Sequence, residues 1–228
     1  MPLVRSLLFA ACSFSEPSLL WMAPIGTGGG YSSEAIAFLA ALHEVPGFGV
    51  RNFAEQMDRE FLGGLPPKLE KALQKALRIH DRDTFDVVVC HSPPDAWVPS
   101  AFAGWDRIAP CPPGAVRRRP SGAVHIGRTM YESDRVPKGW LPRLAKMDEI
   151  WVPTEFLKAA WGRQGVDPRK LVVVPEPIDT DFFHPGAKPF SFERPGKVNF
   201  LSVFKWERRK GWDVLVRAFL EEFPEPNS

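Results

Sequence analysis

The chain has 228 residues, 44% hydrophobic and 25% charged, the composition of an ordinary globular protein with one large domain or a domain and a half. Lys plus Arg number 29 against 27 Asp plus Glu, a net charge of +2 that argues against bulk nucleic acid as the main partner. No apolar run approaches the roughly 18 residues of a membrane-spanning helix, so no transmembrane segment is expected.

Residues 1–17 carry one Arg and a short apolar stretch and read as a leader before the first strand. A signal peptide on a secretory route is the alternative. The three cysteines, Cys12, Cys90 and Cys111, have no zinc-ligand spacing and cannot form a disulfide framework. A reducing compartment, and hence the cytoplasm, is the expectation.

Residues 18–25 (SLLWMAPI) form a continuous apolar run, as expected of a strand buried on both faces. The turn GTGGG at 26–30 follows, and Ser32 or Ser33 then caps a helix to about Glu44 through Ile36, Leu39, Ala40 and His43. Residues 49–54 read as a weaker strand. Pro66-Pro67 opens a helix with the stripe Leu69, Ala72, Leu73, Ala76 and Leu77. Residues 85–91 (FDVVVCH) predict a second buried strand. Residues 92–122 hold seven prolines and Arg117–Arg118–Arg119, a long surface loop.

Further strands are expected at 123–129, 149–153 and 171–174, with a short helix near 140–147 and another capped by Thr154. Alternation of this kind predicts an α/β fold, a Rossmann-like parallel sheet with helices on both faces. Residues 179–196 read as a linker. Residues 198–204 (VNFLSVF) predict a new strand, and Gly211 leads into a helix with the stripe Trp212, Leu215, Val216, Phe219 and Phe223. One strand and one helix cannot build their own core. The chain therefore reads as a complete domain over 18–178 and the opening of a second over 197–228.

Four features can carry chemistry. Gly28, Gly29 and Gly30 lie between a strand and a helix N-terminus, where free N–H groups favour an anion such as phosphate. A tight turn without a ligand is the plain alternative. Tyr31 stands where a dinucleotide fingerprint has its third glycine, which argues against a nicotinamide oxidoreductase. Lys205, Arg209 and Lys210 lie in KWERRKG before a helix, a candidate diphosphate site or else a solvated charge cluster.

Arg128, Tyr131, Glu132 and Asp134 follow a mid-sheet strand, where ligands of open α/β sheets gather. Glu132 and Asp134, near Arg128 and Arg135, are able to hold sugar hydroxyls or take a proton; a salt-bridged surface turn reads equally well. His91 ends the third strand and is a candidate for the same cleft, or a satisfied structural residue. His80, His125 and His184 lack partners for a metal site. No metal and no cofactor is expected.

The order of these pieces resembles the N-terminal part of a GT-B glycosyltransferase of the family 4, or glycosyl transferase group 1, type. The most specific stretch is DEIWVPTEFLKAAWGRQGVDPRKLVVVPEPIDTDFFHPG, with Asp179, Phe183 and Pro185 at the matching positions. FLSVFKWERRKGWDVLVRAF is similar to the start of the family's nucleotide-sugar domain, in which Arg and Lys hold the donor diphosphate. Lys210-Gly211 match directly, while Lys205 replaces an Arg and loses its planar fork.

The resemblance implies transfer of a sugar from a nucleotide-sugar donor to an acceptor, with retention and without metal. The donor is a substrate, not a cofactor; the acceptor is a glycan, protein, lipid or small molecule. Gly28, Gly29, Gly30, Lys205, Arg209 and Lys210 would hold the donor diphosphate. Glu132 would be catalytic, and His91, Arg128, Tyr131 and Asp134 would face the acceptor. The usual family histidine is absent, since Met130-Tyr131-Glu132 stand in its place. The paired-glutamate region has no counterpart here, so residues 1–228 alone are expected to be inactive or very weak. The rival expectation is a non-catalytic binding or regulatory module derived from such an enzyme.

Overall fold

The computed structural model describes residues 17–52, 58–77, 85–113, 122–191 and 198–224. The chain divides into two compact units, Met1–Phe183 and His184–Ser228. The expected leader at 1–17 (save Pro17), His80, Cys12 and Arg117–Arg118–Arg119 lie outside the described residues.

In the first unit six strands form one sheet: β1 (Leu19–Ala23), β2 (Phe48–Asn52), β3 (Val87–His91), β4 (Val124–Arg128), β5 (Glu149–Val152) and β6 (Leu171–Val173). Their order is β2-β1-β3-β4-β5-β6 and every pairing is parallel, which gives the predicted Rossmann-like α/β arrangement. The helices are α1 (Gly30–Leu42), α2 (Arg59–Gly63), α3 (Pro67–Leu77), α4 (Trp105–Ile108), α5 (Leu141–Leu144) and α6 (Glu155–Gly162).

Successive strand side chains point to opposite faces, and here both faces are covered. Leu20, Met22, Val88, Cys90, Ile150 and Val152 pack into one core with Trp97, Trp140 and Trp161. Leu19, Trp21, Ala23, Val89 and Ile126 build the other with Ile36, Phe38 and Leu39 of α1 and Leu73 of α3. That two-sided burial is why the strands read as continuous apolar runs.

The start of α1 differs from expectation. Neither serine caps it: Gly29 is the N-cap, and the buried Ser32 hydroxyl donates back to the Ile25 carbonyl. The buried face is Ala35, Ile36, Phe38, Leu39 and Leu42, so exposed Ala40 is not part of the stripe. Thr154 does cap α6, accepting from the Leu157 N–H at 3.2 Å.

The described part of the 92–122 segment is not an open surface loop. Ala96, Trp97, Val98, Ala109 and Cys111 are buried, and Trp97 donates from Nε1 to the Ser92 hydroxyl at 3.0 Å. Its ring lies so close to Gly127 on β4 that a Cβ there would overlap it. Prolines rigidify this segment, and a large aromatic seats it in the core.

Cys90 on β3 and Cys111 form a disulfide across 21 residues, with Cα atoms 5.8 Å apart. This corrects the expectation that the cysteines form no disulfide. The pairing is made by the fold, which returns the proline-rich segment to β3, and not by spacing.

The second unit has one helix, α7 (Trp212–Glu222), among its described residues. The strand expected at 198–204 is absent. A strand needs a hydrogen-bonded neighbour, and the described residues of this unit supply none. Phe200 instead rests on Phe219 and Phe223, with ring centroids 5.7 and 5.4 Å away. Leu215, Val216, Phe219 and Phe223 remain exposed. No helix among the described residues is long and apolar enough to cross a membrane.

Candidate functional site

In a parallel sheet all carboxyl ends lie along one edge, and ligands gather where the strand order reverses. Here that point lies between β1 and β3, since β2 was added on one side of β1 and β3 on the other. The turn after β1, the end of β3 and the loop after β4 converge there.

Beneath this edge lies a buried polar network. Glu34, one turn into α1, accepts through Oε2 from His91 Nε2 at 2.8 Å. Its Oε1 accepts from Arg128 Nε at 3.0 Å and also from Nη2. The remaining arm of Arg128, Nη1, donates to the Val174 carbonyl just past β6. Trp21 on β1 donates from Nε1 to His91 Nδ1 at 3.1 Å. Indole nitrogen only donates, so Nδ1 carries no proton and the imidazole is neutral with its proton on Nε2.

Burial alone would raise the Glu34 pKa, but hydrogen bonding from His91 and the charge of Arg128 hold it below the usual range. Burial pushes the His91 pKa down, and the adjacent Glu34 carboxylate only partly opposes this. One anion, one cation and one neutral ring thus balance inside the fold. Tyr31 closes the network above: its hydroxyl donates to the Met130 carbonyl at 3.1 Å and lies 3.2 Å from the Thr129 hydroxyl. Its ring meets His91 edge-on at 5.5 Å, and burial raises its pKa. The side chain that breaks the dinucleotide fingerprint therefore fills the crevice itself.

Two expected acceptor-side residues are consequently elsewhere in role. His91 is 0% exposed with both nitrogens bonded, the structural alternative of the sequence reading. Arg128 is also 0% exposed and pairs with Glu34, not with Glu132 or Asp134. Burial beside a carboxylate draws the guanidinium inward, away from the rim. Glu34 went unrecognised, although an acidic residue four before the buried Phe38 on one helix face was the available signal.

Tyr131, Glu132 and Asp134 lie exposed on the loop after β4, within reach of solvent at the sheet's carboxyl edge. Gly28 has φ +65°, the left-handed region that favours glycine. It borders a shallow hollow lined by Asp58, Glu60, Phe61, Gly64 and Leu65. A Cβ at Gly28 would stand 3.2 Å from Asp58 Oδ2, so carboxylate charge faces this side of the glycine turn. Gly29 and Gly30 form the start of α1, and Gly30 has open space where a side chain would be.

In the second unit Lys205 and Arg209 both pair with Glu207, at 2.8 and 2.9 Å. The Lys205 ammonium, with Arg209, holds the Glu207 carboxyl below its usual range. Lys205, Arg209 and Lys210 are all exposed ahead of Gly211, whose φ of +69° turns the chain into α7. No group of His, Cys, Asp and Glu able to hold a metal ion occurs among the described residues.

The network sets a pH dependence. Folded His91 binds its proton less readily than unfolded His91, so its stabilising contribution is present above about pH 6.5 and is lost as the unfolded chain protonates below it. Glu34 follows the same sign from about pH 4.5 downward. His91→Gln, which keeps a donor toward Glu34, is expected to flatten the loss between about pH 6.5 and 5, where each proton contributes up to about 1.4 kcal/mol per pH unit. Urea unfolding at several pH values measures this; equal slopes in both proteins would refute it. Comparison with known protein families, with characterised proteins and with solved structures finds no match.

Proposed function

We propose that the chain carries the acceptor-side domain, and the first donor-contacting segment, of a nucleotide-sugar-dependent glycosyltransferase. One observation carries the reading: a parallel sheet with polar residues along its carboxyl edge is followed, in the same chain, by a separate unit whose exposed Lys205, Arg209 and Lys210 precede a helix. The resemblance of residues 148–186 and 200–219 to the family 4 type supports the same reading.

In such a reaction the bond between the anomeric carbon and the diphosphate oxygen breaks, and the nucleoside diphosphate leaves with the electron pair. The acceptor oxygen bonds the anomeric carbon on the same face and gives up its proton. Glu132 is the candidate to receive that proton. Lys205, Arg209 and Lys210 would offset the charge growing on the leaving diphosphate. In the first unit Gly28 contributes the turn after β1, and Asp58 and Glu60 beside it oppose an anion there. His91 and Arg128 support the edge from below and do not touch substrate.

The test is donor-dependent release of nucleoside diphosphate by protein from the complete reading frame, over a panel of nucleotide sugars. Lys210→Ala is expected to lower kcat/KM by about 100-fold or more, as removal of a preorganised donor does. If the complete protein neither binds nor turns over any nucleotide sugar, the proposal falls. The exposed stripe Leu215, Val216, Phe219 and Phe223 then favours a binding module that buries this face in a partner.

A further inference from the structure

We infer that the loops after β3 and β4 form a carbohydrate-binding platform, in which the Tyr131 ring stacks on the apolar face of a glycoside and the Asp95 carboxylate accepts from its hydroxyls. The inference rests on the glycosyl-transfer reading and narrows it, because it makes the acceptor a sugar.

A pyranose offers two kinds of surface: a flat patch of C–H groups and a rim of hydroxyls. Recognition therefore needs an exposed aromatic face held in fixed orientation, with a hydrogen-bond acceptor beside it. β3 and β4 are adjacent and parallel, so the loops that follow them emerge side by side from one edge. Tyr131 lies on the second loop and is 43% exposed. Its ring meets the buried Trp140 in a T-shaped contact at 5.2 Å. Such a contact covers at most one face of the tyrosine and leaves the other for a ligand.

Trp140 also links the two loops. Its Nε1 donates to Asp95 Oδ2 at 2.9 Å, so the ring that supports Tyr131 also orients the carboxylate. The other oxygen, Oδ1, forms a loose ion pair with Arg143 Nη1 at 4.0 Å, too long for a hydrogen bond, and the Asp95 side chain is 39% exposed. The Asp95 backbone is fixed as well, its carbonyl accepting from the Ala101 N–H at 2.7 Å and the Ser100 hydroxyl at 3.0 Å. The same turn carries Phe102, 54% exposed, as a second aromatic surface. A platform ordered before binding loses little freedom on contact, which favours a weakly held neutral ligand such as a sugar.

Saturation-transfer NMR on the intact chain, with the methyl glycosides of glucose, galactose and mannose as probes, tests this. Transfer onto ring C–H protons of at least one glycoside is expected. Tyr131→Ala should weaken that binding about tenfold or more, the scale of a lost aromatic contact, while Tyr131→Phe should retain it. No transfer to any of these glycosides overturns the inference, and so does unchanged binding in a folded Tyr131→Ala protein. Glycoside binding without nucleotide-sugar binding or turnover by protein from the complete reading frame supports the platform and removes the transferase reading. Turnover onto a lipid alcohol without glycoside binding overturns the platform and leaves the transferase reading in place.

Discussion

Glu34→Ala is expected to destabilise the fold by about 3–5 kcal/mol, the cost of stripping the partner from a buried charge. Arg128 would be left 0% exposed with its Nε and Nη2 donors unmatched, and His91 Nε2 would lose its acceptor as well. The pair is weak evidence for net stabilisation, because desolvating both ions opposes their attraction. The sharper expectation therefore concerns the double variant. Glu34→Leu with Arg128→Met removes both charges and keeps similar volume, and should recover the part of the loss that comes from the unpaired buried charge, while His91 Nε2 and the Val174 carbonyl stay unpaired. Urea unfolding of wild type, both single variants and the double variant measures the coupling directly. A Glu34→Ala protein within about 1 kcal/mol of wild type would show that the network does not hold the edge, since ordinary surface changes have that size.

The expected loss matters for the site as well as for stability. Glu34 joins α1 to β3 through His91 and to β4 through Arg128, and Arg128 reaches on to Val174 beyond β6. These are the elements whose following loops form the rim where Tyr131, Glu132 and Asp134 stand. A network that fixes strand ends also fixes the loops that leave them.

What could be read in advance follows from range. The strands at 19–23, 87–91 and 149–152 were legible because burial on both faces makes the run largely apolar, a signal contained in four or five residues. The stripe of α3 was legible for the same reason, its period repeating within one helix. Glu34 was not legible, because the partners that explain a buried carboxylate lie 57 and 94 residues away. His91 and Arg128 were recognised by their place at strand ends, but strand position does not tell a ligand-facing side chain from one turned inward. The predicted strand at 198–204 failed for a related reason. Its composition suits a sheet, yet a strand exists only with a neighbour, and composition cannot supply one.

Replacing Cys111 by Ser, or reducing its bond to Cys90, is expected to cost about 3 kcal/mol, the chain-entropy value for closing a loop of this length. The effect should be local as well as global. The bond anchors one end of a segment whose other end leaves β3 directly, and between them lie Trp97 in the core and Asp95 at the rim. Limited proteolysis should therefore cut near residues 100–113 in the reduced protein well before it cuts the oxidised one. A thiol count in denaturant without reductant decides whether the bond is present as purified. One free thiol, Cys12, is expected; three would show both cysteines reduced and would return the chain to the cytoplasmic setting that its sparse, odd cysteine count suggests. If one is found, the folded state belongs to an oxidising environment.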